Sequence, residues 1–324
     1  MFVRISGRMR INTHSLNAQG GGGTNYIEVT KAKVVVRNGS SWSLVEVPVI
    51  TGNMLKHCHF VGFVDCFKET KFKDNLTEKS LRYNAVRFAT KETTTKKAGG
   101  NEIKLDDEAK IIENFADADI HGFLVPETGV RRISLIKTSF LIPTEDFLMD
   151  VMGEKLISTV KHNRVDVDEK GAIGRGEETA QMLFSREYAS ALYGFSVVLD
   201  LGFVGVPQSN TSRCVINEEE RIARIECALK ALIAMLSGYI GANLARSFPA
   251  IKVEELIAIK SDKPIPALVH GFYADYVKLS ESIINNAKNL GFEVNCYSIG
   301  VDLKDFTKVS SVEELVKVIL DERK

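Results

Sequence analysis

Apolar positions along this chain fall into two clean alternations and several helical stripes. From residue 2 to residue 13, Val3, Ile5, Met9 and Ile11 take the odd positions and Arg4, Ser6, Arg8, Arg10 and Asn12 the even ones. A period of two predicts a strand with three arginines on one face. Such a face meets either water or phosphates. Val29 to Val36 and Trp42 to Ile50 predict a hairpin turning at Asn38-Gly39. At its end Val45, Val47 and Val49 alternate, Thr51-Gly52-Asn53 breaks the strand, and apolar residues at 55, 58, 61, 64 and 67 predict a helix. Tyr193 to Val204 gives the strongest strand pattern. Tyr193, Phe195, Val197, Leu199, Leu201 and Phe203 fill one face, while Gly194, Ser196, Asp200 and Gly202 keep the other small, so that something can lie close against it.

Further helices and strands follow the same logic. Asn217 before three glutamates predicts a capped helix whose stripe is Ile222, Ile225, Leu229, Leu232, Leu236 and Ile240. A strand over 251–259, a helix over 272–290, a strand over 292–299 and a short final helix complete the chain. Residues 68–117 are polar and helical in pattern, with a loop-like break over 90–101 and an acidic helix over 105–115, and 131–142 returns to strand-like composition. Residues 161–181 are charged, glycine-punctuated and aperiodic, and a loop of that length is functional or disordered. The order strand, helix, strand, strand, helix, strand predicts an α+β fold with a ferredoxin-like (RRM-like) core sheet. The core takes residues 1–67 and 130–324, and 68–129 form an inserted helical subdomain.

Composition narrows the class without naming a function. Hydrophobic content of 44% and charged content of 26% are ordinary for a soluble globular protein. Neither a bilayer-spanning run nor a signal-peptide core is present, so a cytoplasmic location with no membrane partner is expected. The five cysteines (Cys58, Cys66, Cys214, Cys227 and Cys296) form no C-x-x-C pair and are odd in number, which predicts reduced core residues rather than a disulfide framework or a thiolate metal site. Net charge is zero, but its distribution is uneven. Residues 1–104 hold 17 of the 42 Lys and Arg and 8 of the 42 Asp and Glu, a net of +9, which leaves −9 for the rest. That split suits a basic surface for a polyanion, or complementary faces for self-association.

The strand-to-helix turn at 48–57 is the first candidate site. Its backbone N–H groups point outward, Gly52 lets an anion approach, Asn53 caps the helix, and Lys56 and His57 stand in the first turn, so a phosphate would be bound there. The plain alternative is that Asn53 only caps and Lys56 is only solvated. Arg131-Arg132, His162-Asn163-Arg164 and Arg213 add phosphate-pairing groups from distant segments, although each arginine alone also suits a surface ion pair. The first strand carries no RNP-type aromatic pair, which points to contact with a nucleic-acid backbone without base readout. Catalysis would have to use the histidines at 14, 57, 59, 121, 162 and 270. His57 and His59 on one helix point apart, which disfavours a shared metal with Asp65, and no G-x-S-x-G or H-E-x-x-H motif occurs. A metal-independent ribonuclease using His14 or His121 is the enzymatic alternative. The reading taken is non-catalytic, with no metal or cofactor; the glycines at 20–23 lack P-loop spacing.

Six stretches together resemble a known family. SLN at 15–17, VPVITGNMLKH at 47–57, DIHGFL at 119–124, HNR at 162–164, SALYGFSVVLDL at 190–201 and ARSFP at 245–249 are similar to the DevR-type CRISPR-associated proteins, the backbone subunit of type I Cascade interference complexes, and most of all to the archaeal I-A kind. The resemblance implies a ferredoxin-like core with a helical insertion and copies assembling head to tail along one CRISPR RNA. It further implies guide-directed binding of target DNA beside other Cascade subunits. It places Gly52 to His57 and His162 to Arg164 along the RNA groove, and makes 165–181 a thumb crossing the guide. Thr51 stands where serine is more usual, and four glycines follow Asn17, an expected RNA contact. A ribonuclease of the same superfamily and a transcriptional regulator are the alternatives.

Overall fold

The computed structural model describes all residues except 18, 21–25, 86, 89–90, 152–153, 165–181, 237–243, 246 and 323–324. Its principal elements, in chain order, are β1 (Phe2–His14), β2 (Lys31–Asn38), β3 (Ser41–Pro48), α1 (Gly52–Phe67), α2 (Glu108–Asn114), α3 (Ala116–His121), β4 (Ile136–Thr138), β5 (Ile142–Pro143), α4 (Glu145–Asp150), β6 (Ile157–Arg164), β7 (Met182–Leu199), α5 (Glu218–Leu236), β8 (Ala250–Ser261), α6 (Tyr276–Asn289), β9 (Val294–Ile299) and α7 (Val312–Asp321).

The fold is α+β, built on a mixed sheet. Its central strands lie in the order β9-β8-β1-β7, all antiparallel, and β4, β5 and β6 pair with β7 along its other edge. Register puts Val3 opposite Leu199, Ile5 opposite Val197 and Met9 opposite Tyr193. These residues are fully or almost fully buried, and they form one face of the main core against α1 and α5. The two helices run antiparallel. Gly62 of α1 faces Ala231 and Ala234 of α5, and a Cβ at 62 would lie 2.7 Å from the Ala234 Cβ. Small residues at the crossing let the backbones approach closely.

The opposite face of the sheet is covered by this chain's own segment 262–275 and by α6, around Ile257, Ile259, Ile265, Leu268 and Tyr276. The arginine face of β1 is turned toward that cover rather than toward water or phosphate. Arg4 Nε donates to the Ile265 carbonyl (2.7 Å), Ser6 Oγ to that of Val269 (2.6 Å) and Arg8 Nε to that of Gly271 (3.0 Å). Arg4 pairs with Asp200 at 2.9 Å and Arg8 with Asp146 at 2.7 Å, while Arg10 is exposed beside Glu254. The small face of β7 has the role its composition suggests: a Cβ on Gly194 would fall 2.2 Å from the Gly271 carbonyl carbon.

Several boundaries move. Leu201 and Phe203 lie in a 3-10 turn beyond β7, where Leu201 is buried and Phe203 exposed. In 68–117 the helical pattern gives two 3-10 turns, a ribbon pairing 94–96 with 102–104, and α2 shortened to Glu108–Asn114. Helix propensity there is overridden by the need to bury Leu105, Ile111 and Phe115 in a small separate core with Phe88 and Phe123. Asn217 does cap α5, accepting the Glu220 N–H at 2.8 Å. Ile225, Leu229, Leu232 and Leu236 are buried as the stripe requires, and Ile240 lies outside the described residues. The cysteine expectation is corrected at one pair. Cys66 of α1 and Cys227 of α5, with Cα atoms 5.4 Å apart, are disulfide-bonded, whereas Cys58 and Cys296 are buried thiols and Cys214 is exposed. No helix among the described residues is long and apolar enough to cross a membrane.

Candidate nucleic-acid interface

The hairpin, the end of β1 and the start of α1 are held together by one polar cluster. Thr51, not Asn53, is the N-cap of α1: its hydroxyl oxygen accepts the Met54 N–H at 3.3 Å and donates to Asn17 Oδ1 at 2.7 Å. Asn17 Nδ2 in turn donates to Thr30 Oγ1 at 2.6 Å. Asn17 is therefore occupied in positioning the turn. Gly52 is buried, and a Cβ there would lie 2.6 Å from the Thr138 carbonyl oxygen. Close packing of two backbones accounts for the glycine.

Beyond this collar the first turn of α1 presents Asn53 and His57, both exposed, and a half-buried Lys56. Arg87, arriving from the insertion at a positive φ of 47°, lies beside them, with one guanidinium N–H donated to the His121 carbonyl at 3.0 Å. Burial and the Arg87 charge together lower Lys56 to about 8, and the same two causes lower His57. Among the described residues no carboxylate pairs with Lys56, and Asp117 is the carboxylate that acts on Arg87. Three basic groups gathered at a helix start, with no carboxylate paired to Lys56, favour an anion. Arg87 has no sequence signature; only the path of the insertion brings it here.

Behind this cluster two histidines are sealed from solvent. His59 Nε2 donates to the Ala228 carbonyl at 2.9 Å, its Nδ1 lies 2.9 Å from His121 Nε2, and His121 Nδ1 lies 3.2 Å from the Asp117 carbonyl. Burial lowers His59 to about 4 and holds His121 well below the usual range, so the pair is neutral. His14 is equally buried, bonded to the Tyr193 hydroxyl at 2.7 Å, and lowered to about 4. A general base must touch the proton it removes. Neither His14 nor His121 reaches a surface where a scissile phosphate could lie. Among the described residues no group of three or more His, Cys, Asp or Glu is arranged to hold a metal ion.

The remaining sequence candidates are dispersed. His162, Asn163 and Arg164 end β6, opposite Phe184, Leu183 and Met182 of β7. That ribbon runs past His14, which pairs with Ala189, and so leaves the sheet at the same end as the α1 start; the loop 165–181 it leads into lies outside the described residues. Arg131 is exposed on a concave surface it shares with Asp106, Asp107, Gln208 and Ser209. Arg213 is exposed in the loop before α5, whose start joins the far end of α1 through Lys71–Glu219 and Asn75–Glu220 contacts. At 1.5 Å per residue α1 is about 24 Å long. Within one copy, Arg213 therefore does not share a site with Lys56.

The family model for the CRISPR-associated negative auto-regulator DevR/Csa2 matches residues 5–281. A Methanocaldococcus jannaschii protein described as CRISPR-associated protein Cas7/Cst2/DevR is 65% identical over 322 residues, covering 99% of both chains. One of the same description from Thermoproteus tenax is 34% identical over 87% of this chain and 82% of its own. The CRISPR-associated aCascade subunit Cas7/Csa2 2 of Saccharolobus solfataricus is 30% identical over 98% of this chain and 100% of its own. Among solved structures, a chain of a CRISPR RNA-guided surveillance complex in a pre-nicking state shares the fold, with a TM-score of 0.53 at 12% identity and full coverage of both chains. With most of its length matched by the family model and nearly all of it by a close relative, the chain belongs to the DevR/Csa2 family of CRISPR-associated proteins.

Proposed function

We propose that this protein is a non-enzymatic subunit of a CRISPR interference complex that grips single-stranded CRISPR RNA by its backbone. It oligomerises along that RNA beside other Cascade subunits and supports guide-directed binding of target DNA. The observation that carries the reading is the gathering of Lys56, His57 and Arg87 at the start of α1 with no carboxylate paired to Lys56. The β6–β7 ribbon bearing His162, Asn163 and Arg164 leaves the sheet at the same end, which suits a continuous groove. The order β8-β1-β7-β4, with α1 and α5 on one face, supports a ferredoxin-like core, and the chain's own covering segment on the other face favours a groove at the sheet's end instead of its open surface. A backbone grip suits a subunit that accepts any guide, because base pairing rather than protein reads the sequence.

Binding to unrelated single-stranded RNAs tests this. Affinity is expected to be equal across sequences and to fall steeply with salt. A strong sequence preference, or a defined cut in repeat RNA with chelator present, would favour the ribonuclease alternative.

A further inference from the structure

Beneath the first turn of α1 the main core holds a small cavity walled by Met9 of β1, Met54 and Cys58 of α1 and Met235 of α5, and otherwise by isoleucine and leucine side chains. Its volume of roughly 10 Å³ is about the room of one water molecule. A water there would need several polar partners. Among the described residues that line the cavity, the only side-chain heteroatoms are four sulfurs, and no charged group takes part. Met9, Cys58 and Met235 are buried and Met54 is half-buried, which puts Met54 on the solvent side.

Two of the four sulfurs already stand at ligand spacing. Met54 and Cys58 are one helical turn apart on α1, and Cys58 Sγ lies 3.7 Å from Met54 Sδ. Sulfurs bonded to one ion at about 2.3 Å, in tetrahedral directions, lie about 3.8 Å from each other. Thioethers and a thiol are soft donors, which favour Cu(I) over the hard cations that oxygen ligands hold. Charge selects in the same direction. A thiolate with a monovalent ion is neutral, whereas a divalent ion would leave a net charge inside an apolar wall, at a large desolvation cost. Burial pushes the Cys58 thiol up to about 12, so the cavity disfavours a bare thiolate and lets it form only together with a cation.

We propose that Met9, Met54, Cys58 and Met235 hold one Cu(I) ion in this cavity, with Cys58 as the thiolate and the three thioethers completing its coordination. On binding, the Cys58 S–H bond breaks, a bond from Cys58 Sγ to copper forms, and the proton leaves to solvent. Copper enters and stays as Cu(I), so no electron is transferred. The site ties β1, α1 and α5 together at one corner of the core, and it draws on none of the groups assigned to the RNA grip.

The test uses the full chain carrying Cys214→Ser, which removes the exposed thiol. Cu(I) is supplied anaerobically from a competing chelator, and Ag(I) serves as an air-stable soft ion of the same charge. One ion per chain is expected by native mass spectrometry, with only sulfur neighbours, and more than two of them, by X-ray absorption. Met9→Leu and Met235→Leu nearly conserve volume, so both are expected to melt close to the parent. Each is expected to lose affinity about tenfold or more, since removing even a group that only supports a ligand costs that much. Cys58→Ser is expected to abolish binding, while Cys296→Ser, at the other buried thiol, is expected to leave it unchanged. Zn(II) is expected not to compete. Parental affinity in both leucine variants would overturn the proposal, because the ion would then sit on a thiol alone. Nitrogen or oxygen neighbours at the metal, displacement by Zn(II), or a chain that takes up no ion would overturn it as well, and the methionines would be core packing only.

Discussion

The Thr51 hydroxyl spans 2.7 Å to Asn17 Oδ1 while accepting the Met54 N–H, so a single oxygen both caps α1 and ties it to the end of β1. Replacing Asn17 by alanine removes that acceptor and the donor to Thr30 together. Leaving half-buried partners unpaired costs about 1–3 kcal/mol, or a fall in Tm of roughly 2–6 °C for a chain of this size. Calorimetry is expected to show that fall for Asn17→Ala, with a smaller loss of RNA affinity than Lys56→Ala gives. An affinity loss without any change in Tm would instead make Asn17 a direct RNA contact.

Lys56 gives the interface a pH signature. In the free protein its ammonium titrates at about 8 because burial and Arg87 disfavour the charge, and a bound phosphate would raise that value. The charged form is the binding form, so affinity is expected to be full below pH 8 and to decline as pH rises through it, with proton uptake on binding in that range. Lys56→Arg, which stays charged, is expected to flatten the profile. Lys56→Ala and Arg87→Ala are each expected to reduce the slope of log affinity against log salt by about 0.7. A slope and pH profile unchanged in all three variants would remove this cluster from the RNA path.

Gly194 and Gly271 join the sheet to its cover with no room for a side chain. A Cβ at 194 would lie 2.2 Å from both the Gly271 carbonyl carbon and the Phe272 nitrogen, and one at 271 would lie 2.1 Å from the Gly7 carbonyl oxygen. All three are backbone atoms that no rotamer change can move. Gly194→Ala is therefore expected to destabilise by about 3 kcal/mol or more, read as a shift in the denaturant midpoint at unchanged m-value. Gly39→Ala, at a hairpin tip with open space, tests φ strain alone (φ 60°) and is expected to cost less.

Periodicity made the layers legible, and contact partners stayed hidden. The alternation in β1 and β7 identified the buried face of each strand, and the small residues of β7 told that something would lie on them. They did not tell that the occupant was the chain's own 268–272, because packing at that distance in sequence leaves no local pattern. For the same reason the arginine face of β1 read as a phosphate surface, although its side chains serve carbonyls of the cover. At the interface, Lys56 and His57 were visible as first-turn residues. Arg87 was not, since a lone arginine in an irregular insertion carries no period. Thr51 and Asn53 are both good caps by composition, and only the hydrogen bonds separate them.

Cys66 and Cys227 illustrate the same limit and supply a quantitative test. No motif links two cysteines separated by 161 residues. Their meeting is set by the crossing of α1 and α5, where Gly62 opposite Ala231 and Ala234 draws the helices together. Alkylation of denatured protein without reductant is expected to label three thiols, Cys58, Cys214 and Cys296, and with reductant all five. Closing a loop of that length removes unfolded-state entropy equivalent to about 5 kcal/mol at 25 °C in the chain-entropy model. Reduction, or the Cys66→Ser and Cys227→Ser pair, should then lower the denaturant midpoint, by less than that figure if the reduced unfolded state keeps residual structure. RNA binding should survive, since Lys56 and Arg87 lie toward the other end of α1. Five labelled thiols in unreduced protein would show that the two helices pack here without a covalent bond.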